Sequence, residues 1–156
     1  MTRSLHGAFA ALAGIAACCL SAPGCQRIPG SNVAPLPIVG AWLVRIPEAP
    51  FPYHMFIFNS DGTVLQSNPD AGDPRTSDSN GLGVWVADGD RIKGKLVEIT
   101  ADRTTRQFVS RGEISFQIRV TGNAFGGDAS ATFYDAAGRQ IRGPLAATLE
   151  GQRVAP

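Results

Sequence analysis

Alternation of apolar and polar residues with a period of two is the feature that most constrains this chain. It runs through residues 38–154, where no stretch of twelve residues supports an amphipathic helix. In residues 108–120 one face carries apolar or small side chains and the other carries charged and polar ones, as a half-buried antiparallel strand requires. The same alternation returns in residues 141–150. Residues 53–58 are apolar or aromatic at nearly every position, which predicts a strand covered on both faces.

Turn-forming residues divide this region into eight predicted strands. Asp-Gly pairs at residues 61–62 and 88–89 are strong hairpin signals. The one long connection, residues 69–80, has no apolar residue larger than alanine and is predicted to be a loop. The predicted strands are residues 40–47, 52–59, 63–68, 82–87, 91–100, 106–120, 123–134 and 139–153.

A meander of eight antiparallel strands closes most simply into an up-and-down β-barrel, which leaves no free edge. The fold class predicted is therefore all-β, an eight-stranded antiparallel barrel, and we expect a monomer. A sandwich of two sheets satisfies the same alternation and stays open as an alternative. Several glycines inside the predicted strands suit the sharp bends of a closed barrel: Gly94, Gly112, Gly126, Gly127 and Gly143.

Residues 1–25 have the pattern of a secretory signal peptide or lipoprotein leader. Arg3 gives the start a positive charge, and residues 8–17 form an uncharged apolar run. This run is shorter than the roughly 20 residues that a transmembrane helix needs. The pattern predicts an exported protein, either anchored by lipid in the cell envelope or secreted.

The position of cleavage has three readings. Residues 15–18 resemble a bacterial lipobox, which makes Cys18 the predicted site of lipidation. Residues 22–25 match less well because Pro23 precedes the small residue before Cys25. Simple cleavage near residue 22 or 24, without lipidation, is the third reading.

The predicted domains are the leader, a flexible linker over residues 26–37 and a barrel domain over residues 38–154. Three prolines and no apolar pattern mark the linker. All three cysteines lie in the leader, so the barrel domain has no disulfide, thiol nucleophile or cysteine metal ligand. Contact with a membrane is predicted only through the leader or a lipid anchor.

Charge argues against a nucleic-acid partner, since 14 basic residues are nearly balanced by 13 acidic ones. The distribution is uneven. Residues 61–90 carry six aspartates and one arginine, whereas residues 91–119 carry seven basic residues and three acidic ones. Turn aspartates followed by outward strand faces explain this pattern. The alternative is a basic wall that attracts an anionic ligand or a lipid headgroup.

Candidate catalytic groups are few. His54 is the only histidine outside the leader, and its aromatic neighbours favour a position in the core or at the rim over a catalytic role. Asp70, Asp73 and Asp78 share the long connection, where a solvated turn is favoured over a calcium site. We therefore predict no catalytic residue, no metal site and no cofactor, and an enzyme is the less favoured class.

Gly40-Ala41-Trp42 on the first predicted strand and Arg153 on the last resemble the pattern of the calycin family. In that family the arginine packs over the indole and closes the barrel floor. Three further segments, residues 58–64, 81–85 and 147–153, resemble small secreted bacterial lipocalin-like proteins. Barrels of the allene-oxide-cyclase type share this general architecture. The chain departs from true lipocalins in its shorter length, in lacking a disulfide and in leaving no room for an N-terminal helical turn.

The resemblance implies that the barrel binds a small hydrophobic molecule in the cell envelope. An eight-stranded barrel is just wide enough either to be filled by side chains or to hold one small ligand. Glu98 is expected near the rim of such a pocket. The alternatives are a cofactor-free cyclase or isomerase, and a structural envelope lipoprotein with a packed lumen. The predicted lumen and rim residues are Tyr53, His54, Phe108, Ile114, Phe116, Ile118, Tyr134 and Leu145.

Overall fold

The structure is a computed structural model that describes residues 36–68 and 73–155. The predicted leader with Cys18 and Cys25, most of the predicted linker, and Asp70 lie outside the described residues. Those described form nine β-strands: β1 (Gly40–Arg45), β2 (Tyr53–Phe58), β3 (Thr63–Ser67), β4 (Thr76–Asp78), β5 (Gly81–Asp88), β6 (Arg91–Asp102), β7 (Phe108–Thr121), β8 (Ala124–Tyr134) and β9 (Gln140–Arg153). None of these residues belongs to a helix that could cross a membrane.

Eight of the strands close into an antiparallel barrel. Neighbours run in the order β1, β2, β3, β5, β6, β7, β8 and β9, and β9 pairs back with β1. This confirms the predicted up-and-down barrel and excludes the open sandwich. The additional strand, β4, pairs with residues 100–102 of β6. Sequence reasoning missed β4 because its residues, Thr-Ser-Asp, carry no apolar pattern.

The barrel has two ends, which we call the floor and the mouth. The floor carries the turns β2–β3, β5–β6 and β7–β8, together with the start of β1 and the end of β9. The mouth carries the connections β1–β2, β3–β5, β6–β7 and β8–β9. Every inward-facing side chain can therefore be assigned to the floor half or the mouth half of the interior.

Aromatic rings fill the floor half. The ring centroid of Phe58 lies 6.0 Å from that of Trp85, 6.0 Å from that of Phe116 and 6.3 Å from that of Phe125, each in an edge-to-face arrangement. The void among these rings and their aliphatic neighbours has a volume of about 10 Å³. That is close to the smallest volume that holds one water molecule, so this part of the lumen is packed.

Two inward-facing glycines make this packing possible. A Cβ atom on Gly94 would lie 2.2 Å from the ring of Phe116, and one on Gly151 would lie 2.2 Å from the ring of Phe125. Either contact is far inside van der Waals distance. Gly94 therefore leaves room for the ring of Phe116. This role is additional to any bend that Gly94 allows in β6.

The ladder between β1 and β9 is short. It joins residues 42–45 to residues 150–153, so residues 140–149 of β9 have no strand on that side. Two features occupy this edge. Glu48 accepts hydrogen bonds from the backbone N–H of Thr148 at 3.0 Å and from its hydroxyl at 3.1 Å, and Pro144 has no N–H to offer. Both features reduce the capacity of the edge to pair with another strand.

Strand β2 differs from its prediction. Its inward side chains, from His54 to Phe58, are buried, but Tyr53, Met55 and Ile57 are 49%, 40% and 43% exposed. The prediction that this strand is covered on both faces is therefore wrong. The apolar outer residues belong to an exposed wall of the barrel.

Candidate functional site

The floor of the barrel is closed by Trp42 and Arg153. The indole N–H of Trp42 donates to the carbonyl of Ile38 at 2.7 Å, and the guanidinium of Arg153 lies 4.3 Å from the centroid of the Trp42 rings. Arg153 also donates to the backbone carbonyls of Val39, at 2.8 Å, and Pro37. Cation–π attraction and hydrogen bonds to backbone carbonyls thus hold the first and last strands together.

Polar side chains gather at the opposite end, in what we call the mouth cluster: His54, Gln66, Asn68 and Glu98. The side-chain amide nitrogen of Gln66 lies 3.1 Å from His54 Nδ1, and that of Asn68 donates to Glu98 Oε2 at 3.1 Å. Alternation places three of them inside the barrel, since His54, Gln66 and Glu98 all occupy inward positions of their strands. The cluster therefore follows from the register of the sheet.

Glycines opposite the cluster give its side chains space. Gln66 lies over Gly81, where an added Cβ would be 2.8 Å from its Oε1 atom. Glu98 and Phe133 both lie over Gly112, where an added Cβ would be 3.0 Å from Glu98 Oε1 and 3.1 Å from the Phe133 ring. A carboxyl group and an aromatic ring consequently adjoin at one point of the mouth.

Burial changes the acidity of the cluster. It raises the pKa of Glu98 to about 7, and the negative charge of the nearby Asp78 acts in the same direction. Burial lowers the pKa of His54, and only the backbone carbonyl of Phe51 opposes this effect. Burial thus favours the neutral ring of His54 and the protonated carboxyl group of Glu98.

Nε2 of His54 is a buried ring nitrogen that makes no hydrogen bond within residues 36–68 and 73–155. The other ring nitrogen, Nδ1, lies 3.1 Å from the amide nitrogen of Gln66, and the tautomer decides which of the two carries the proton. Buried polar atoms are rarely unpaired in folded proteins, which makes this position a candidate for an additional ligand or water contact.

The β7–β9 side of the mouth is apolar and partly open. Ile114 and Phe133 are half-buried and Leu145 is 38% exposed, although all three occupy inward positions. They are accessible because β7, β8 and β9 extend beyond the mouth end of β1. Apolar surface thus lies beside the mouth cluster.

The structure separates the predicted lumen and rim residues into three groups. His54 lies in the mouth cluster, with Ile114 and Leu145 beside it, and Phe108 is 42% exposed beyond the irregular pairing of β6 with β7. Phe116 and Ile118 line the small packed void of the floor half. The remaining two are on the outside, because alternation gives Tyr53 and Tyr134 the face opposite to that of His54 and Phe133.

Tyr53 instead lines a groove on the outer wall. This groove has a volume of about 400 Å³ and lies beside Leu43 and Gln152, between β1, β2 and β9. Arg45 and Glu150 form an exposed ion pair across it, with a separation of 3.1 Å. An open groove with such a pair offers little enclosure to a ligand.

Sequence reasoning missed two members of the mouth cluster. Gln66 had a detectable signal, because it alternates with Val64 on the face predicted to be dry. Asn68 had none, since it follows the end of β3 and reaches Glu98 only through the fold.

Asp73 and Asp78 of the long connection accept hydrogen bonds from other groups of the protein. Asp73 accepts from the backbone N–H of Arg75 at 2.8 Å, and Asp78 accepts from the hydroxyl of Thr100 at 2.6 Å. Across the part of the chain that the structure describes, no three histidine, cysteine or acidic side chains are grouped so that they could hold a metal ion.

Comparison of the chain with protein-family models, with curated proteins and with solved structures gives no match. The structure thus shows the barrel, and the resemblance to the calycin family stays a prediction.

Proposed function

We propose that this chain is an exported, non-enzymatic β-barrel protein that binds a small, largely apolar molecule at the barrel mouth. The ligand would carry an acceptor oxygen, such as a carbonyl or an ether. The observation that supports this proposal most strongly is that Glu98 and Phe133 both lie over Gly112, which puts a protonatable carboxyl group near accessible apolar surface.

Both polar groups at the mouth can act as donors toward such a ligand. The protonated Glu98 carboxyl donates one hydrogen bond, and Nε2 of His54 is a second donor within the same cluster in the tautomer that protonates it. Ile114, Phe133 and Leu145 supply apolar contact. Few polar groups beside an apolar surface are typical of small-molecule sites.

The mouth is a better site than the lumen, because the packed void of about 10 Å³ is far below the several hundred Å³ that a drug-sized ligand occupies. A ligand inside the floor half would have to displace aromatic rings. The calycin likeness supports a binding role, but the ligand would sit on the barrel end.

Export through the N-terminal leader and lipidation at Cys18 are part of the proposal. They are tested by labelling cells with a lipid precursor and comparing Cys18→Ser with Cys25→Ser. Loss of label only in Cys18→Ser supports lipidation at Cys18. Loss of label only in Cys25→Ser means that Cys25 carries the lipid instead. No label in the unchanged chain means that the protein is not lipidated.

One alternative has an observation in its favour. The packed floor half suits a structural envelope protein that binds no small molecule. The described residues provide no comparable observation for a cyclase or isomerase.

Nuclear magnetic resonance titration separates the two candidates. Tryptophan fluorescence would be a poor probe, because Trp42 and Trp85 are both buried in the floor half. With a panel of long-chain ketones, ethers and terpenoids, we expect shifts confined to Glu98, Ile114, Phe133 and Leu145. Affinity for a ketone should fall as the pH rises through about 7, because Glu98 then loses its donor proton.

Leu145→Asp should abolish these shifts, whereas Ala146→Asp, one residue away on the outer face of β9, should leave them unchanged. A folded protein whose mouth resonances respond to no member of the panel would favour the structural role.

A further inference from the structure

The outer face of the barrel is divided into two walls of different chemistry, of which the one on β7, β8 and β9 carries mostly polar outward residues. On β1, β2, β3, β5 and the mouth end of β6, outward side chains are mostly apolar, and we call this surface the apolar wall. Its most exposed members lie on β5, where Val84 is 62% and Val86 is 67% exposed. The exposed apolar residues of this wall are Leu43, Met55, Ile57, Leu82, Val84, Val86, Val97 and Ile99.

Register makes the apolar wall continuous. Ile57 pairs with Leu65, Leu65 with Leu82, and Leu82 with Val97, so one apolar row crosses four neighbouring strands. Contiguous apolar surface of this kind is uncommon on proteins that bind nothing.

A column of cations borders the wall. On β6, Lys95 pairs in register with Val84, and Lys93 pairs with Val86, while Arg91 follows at the floor end. Lys95 forms an ion pair with Glu113 of β7. Arg91 and Lys93 make no ion pair with any residue in the described ranges.

We propose that the apolar wall docks on the surface of a bilayer that contains anionic phospholipid. The aliphatic side chains of β5 would enter the boundary between headgroups and acyl chains, and the β6 cations would contact lipid phosphates. An apolar surface beside basic side chains is the combination that interfacial membrane binding requires. This contact is additional to a lipid anchor and does not depend on a ligand at the mouth.

Charge favours a bilayer over a second copy of the chain. Of the outward cations on β1, β2, β3, β5 and β6, Arg45 is paired with Glu150 and Lys95 with Glu113. Arg91 and Lys93 form no ion pair among the described residues, and the same strands carry one outward carboxylate, Asp88. A symmetric contact between two such walls would bring like charges together, whereas an anionic bilayer neutralises them.

The test places a tryptophan on each wall of the full-length chain. Val84→Trp reports on the apolar wall, and Ala146→Trp, on the exposed outer face of β9, is the matched control. Each variant is mixed with vesicles that contain brominated phosphatidylcholine, with and without phosphatidylglycerol. The N-terminal leader is the same in both variants, so any binding through it affects both equally.

We expect bromine quenching of the Val84→Trp fluorescence, strongest with phosphatidylglycerol, and no additional quenching for Ala146→Trp. Adding Lys93→Gln to Val84→Trp should lower the partition coefficient about fivefold, because each cation near an anionic surface contributes on the order of 1 kcal/mol. Leu82→Trp, at a neighbouring position of the wall, repeats the measurement if Val84→Trp folds poorly.

Equal quenching of the two variants, or none for the wall positions, would overturn the proposal. A blue-shifted Val84→Trp spectrum without quenching, together with a doubled mass in sedimentation equilibrium, would do the same and would identify a second copy as the occupant.

Discussion

The floor half and the mouth half of the barrel use the same alternating strands but enclose different interiors. In the floor half the inward positions hold large rings, and the polar atoms of these rings are satisfied, as when the indole of Trp85 donates to the carbonyls of Asn59 and Thr63. In the mouth half they hold polar and small residues together with the partly exposed side chains of Ile114, Phe133 and Leu145, and the buried Nε2 of His54 has no hydrogen-bond partner among the described residues. Alternation therefore specifies the barrel. The size and polarity of the inward residues decide which end of the barrel contributes most to its stability.

The largest effect that distinguishes the halves should come from Trp42→Ala. Removing this fully buried ring from between Arg153 and Phe125 should lower the free energy of unfolding by about 3–5 kcal/mol. Guanidinium denaturation measures the change. Leu145→Ala at the mouth is the control and should cost less than about 1 kcal/mol, because that side chain is already 38% exposed. Similar losses of unfolding free energy in Trp42→Ala and Leu145→Ala would show that the floor half does not contribute more to stability than the mouth half.

A smaller effect of opposite sign is expected from Glu98→Gln. Because the pKa of Glu98 is raised from 4.5 to about 7, the folded state keeps a proton that the unfolded state releases between these values. The stability of the unchanged protein should therefore fall as the pH rises from about 4.5 to 7, by on the order of 2 kcal/mol after allowance for solvent screening.

Glu98→Gln should remove this decline, so that the variant is the more stable protein at pH 8 and matches the unchanged chain near pH 4. Denaturation at both pH values checks the expectation, and Glu150→Gln on the outer face is the control. A Glu98→Gln variant that loses stability at pH 8 would mean that the ionised carboxylate stabilises the mouth.

The smallest difference should separate two arginines that each lie over an aromatic ring. Arg153→Met removes a cation 4.3 Å from the Trp42 ring centroid and its bonds to two carbonyls, and should cost about 1–2 kcal/mol. Arg142→Met removes an exposed cation 5.7 Å from the Phe133 ring centroid and should cost about 0.5 kcal/mol. Thermal unfolding ranks the two variants, and a reversed order would contradict the assignment of stability to the floor.

The sequence predicted the barrel well, because alternation and Asp-Gly turns are local signals. The turns at residues 61–62 and 88–89 join β2 to β3 and β5 to β6 as expected. The partners of each side chain were less predictable. Whether Phe116 borders a ligand or fills a packed lumen depends on Gly94 across the sheet, and whether β2 is covered outside depends on tertiary contacts that no periodicity encodes.

The mouth cluster shows the same limit. Glu98 was expected at a rim, but its raised pKa depends on its burial and on Asp78, which the connection that contains β4 brings close. That connection has no apolar pattern, so its path could not be read from the chain. The calycin resemblance implied that Trp42 and Arg153 lie together, and the ladder between β1 and β9 puts them in register.

The short ladder between β1 and β9 is one of the places where the closed barrel can open. Local separation of two strands becomes more costly as more hydrogen bonds must break together, and β7 is joined to β8 along residues 111–121 and 124–134, whereas β1 holds β9 only along residues 42–45 and 150–153. Amide protons along this junction should therefore exchange with solvent well before those between β7 and β8. The rate at which water reaches the interior is then set by the ladders of four residue pairs each, which join β1 to β9, β2 to β3 and β3 to β5, while the global stability of the barrel is set by the aromatic cluster of the floor.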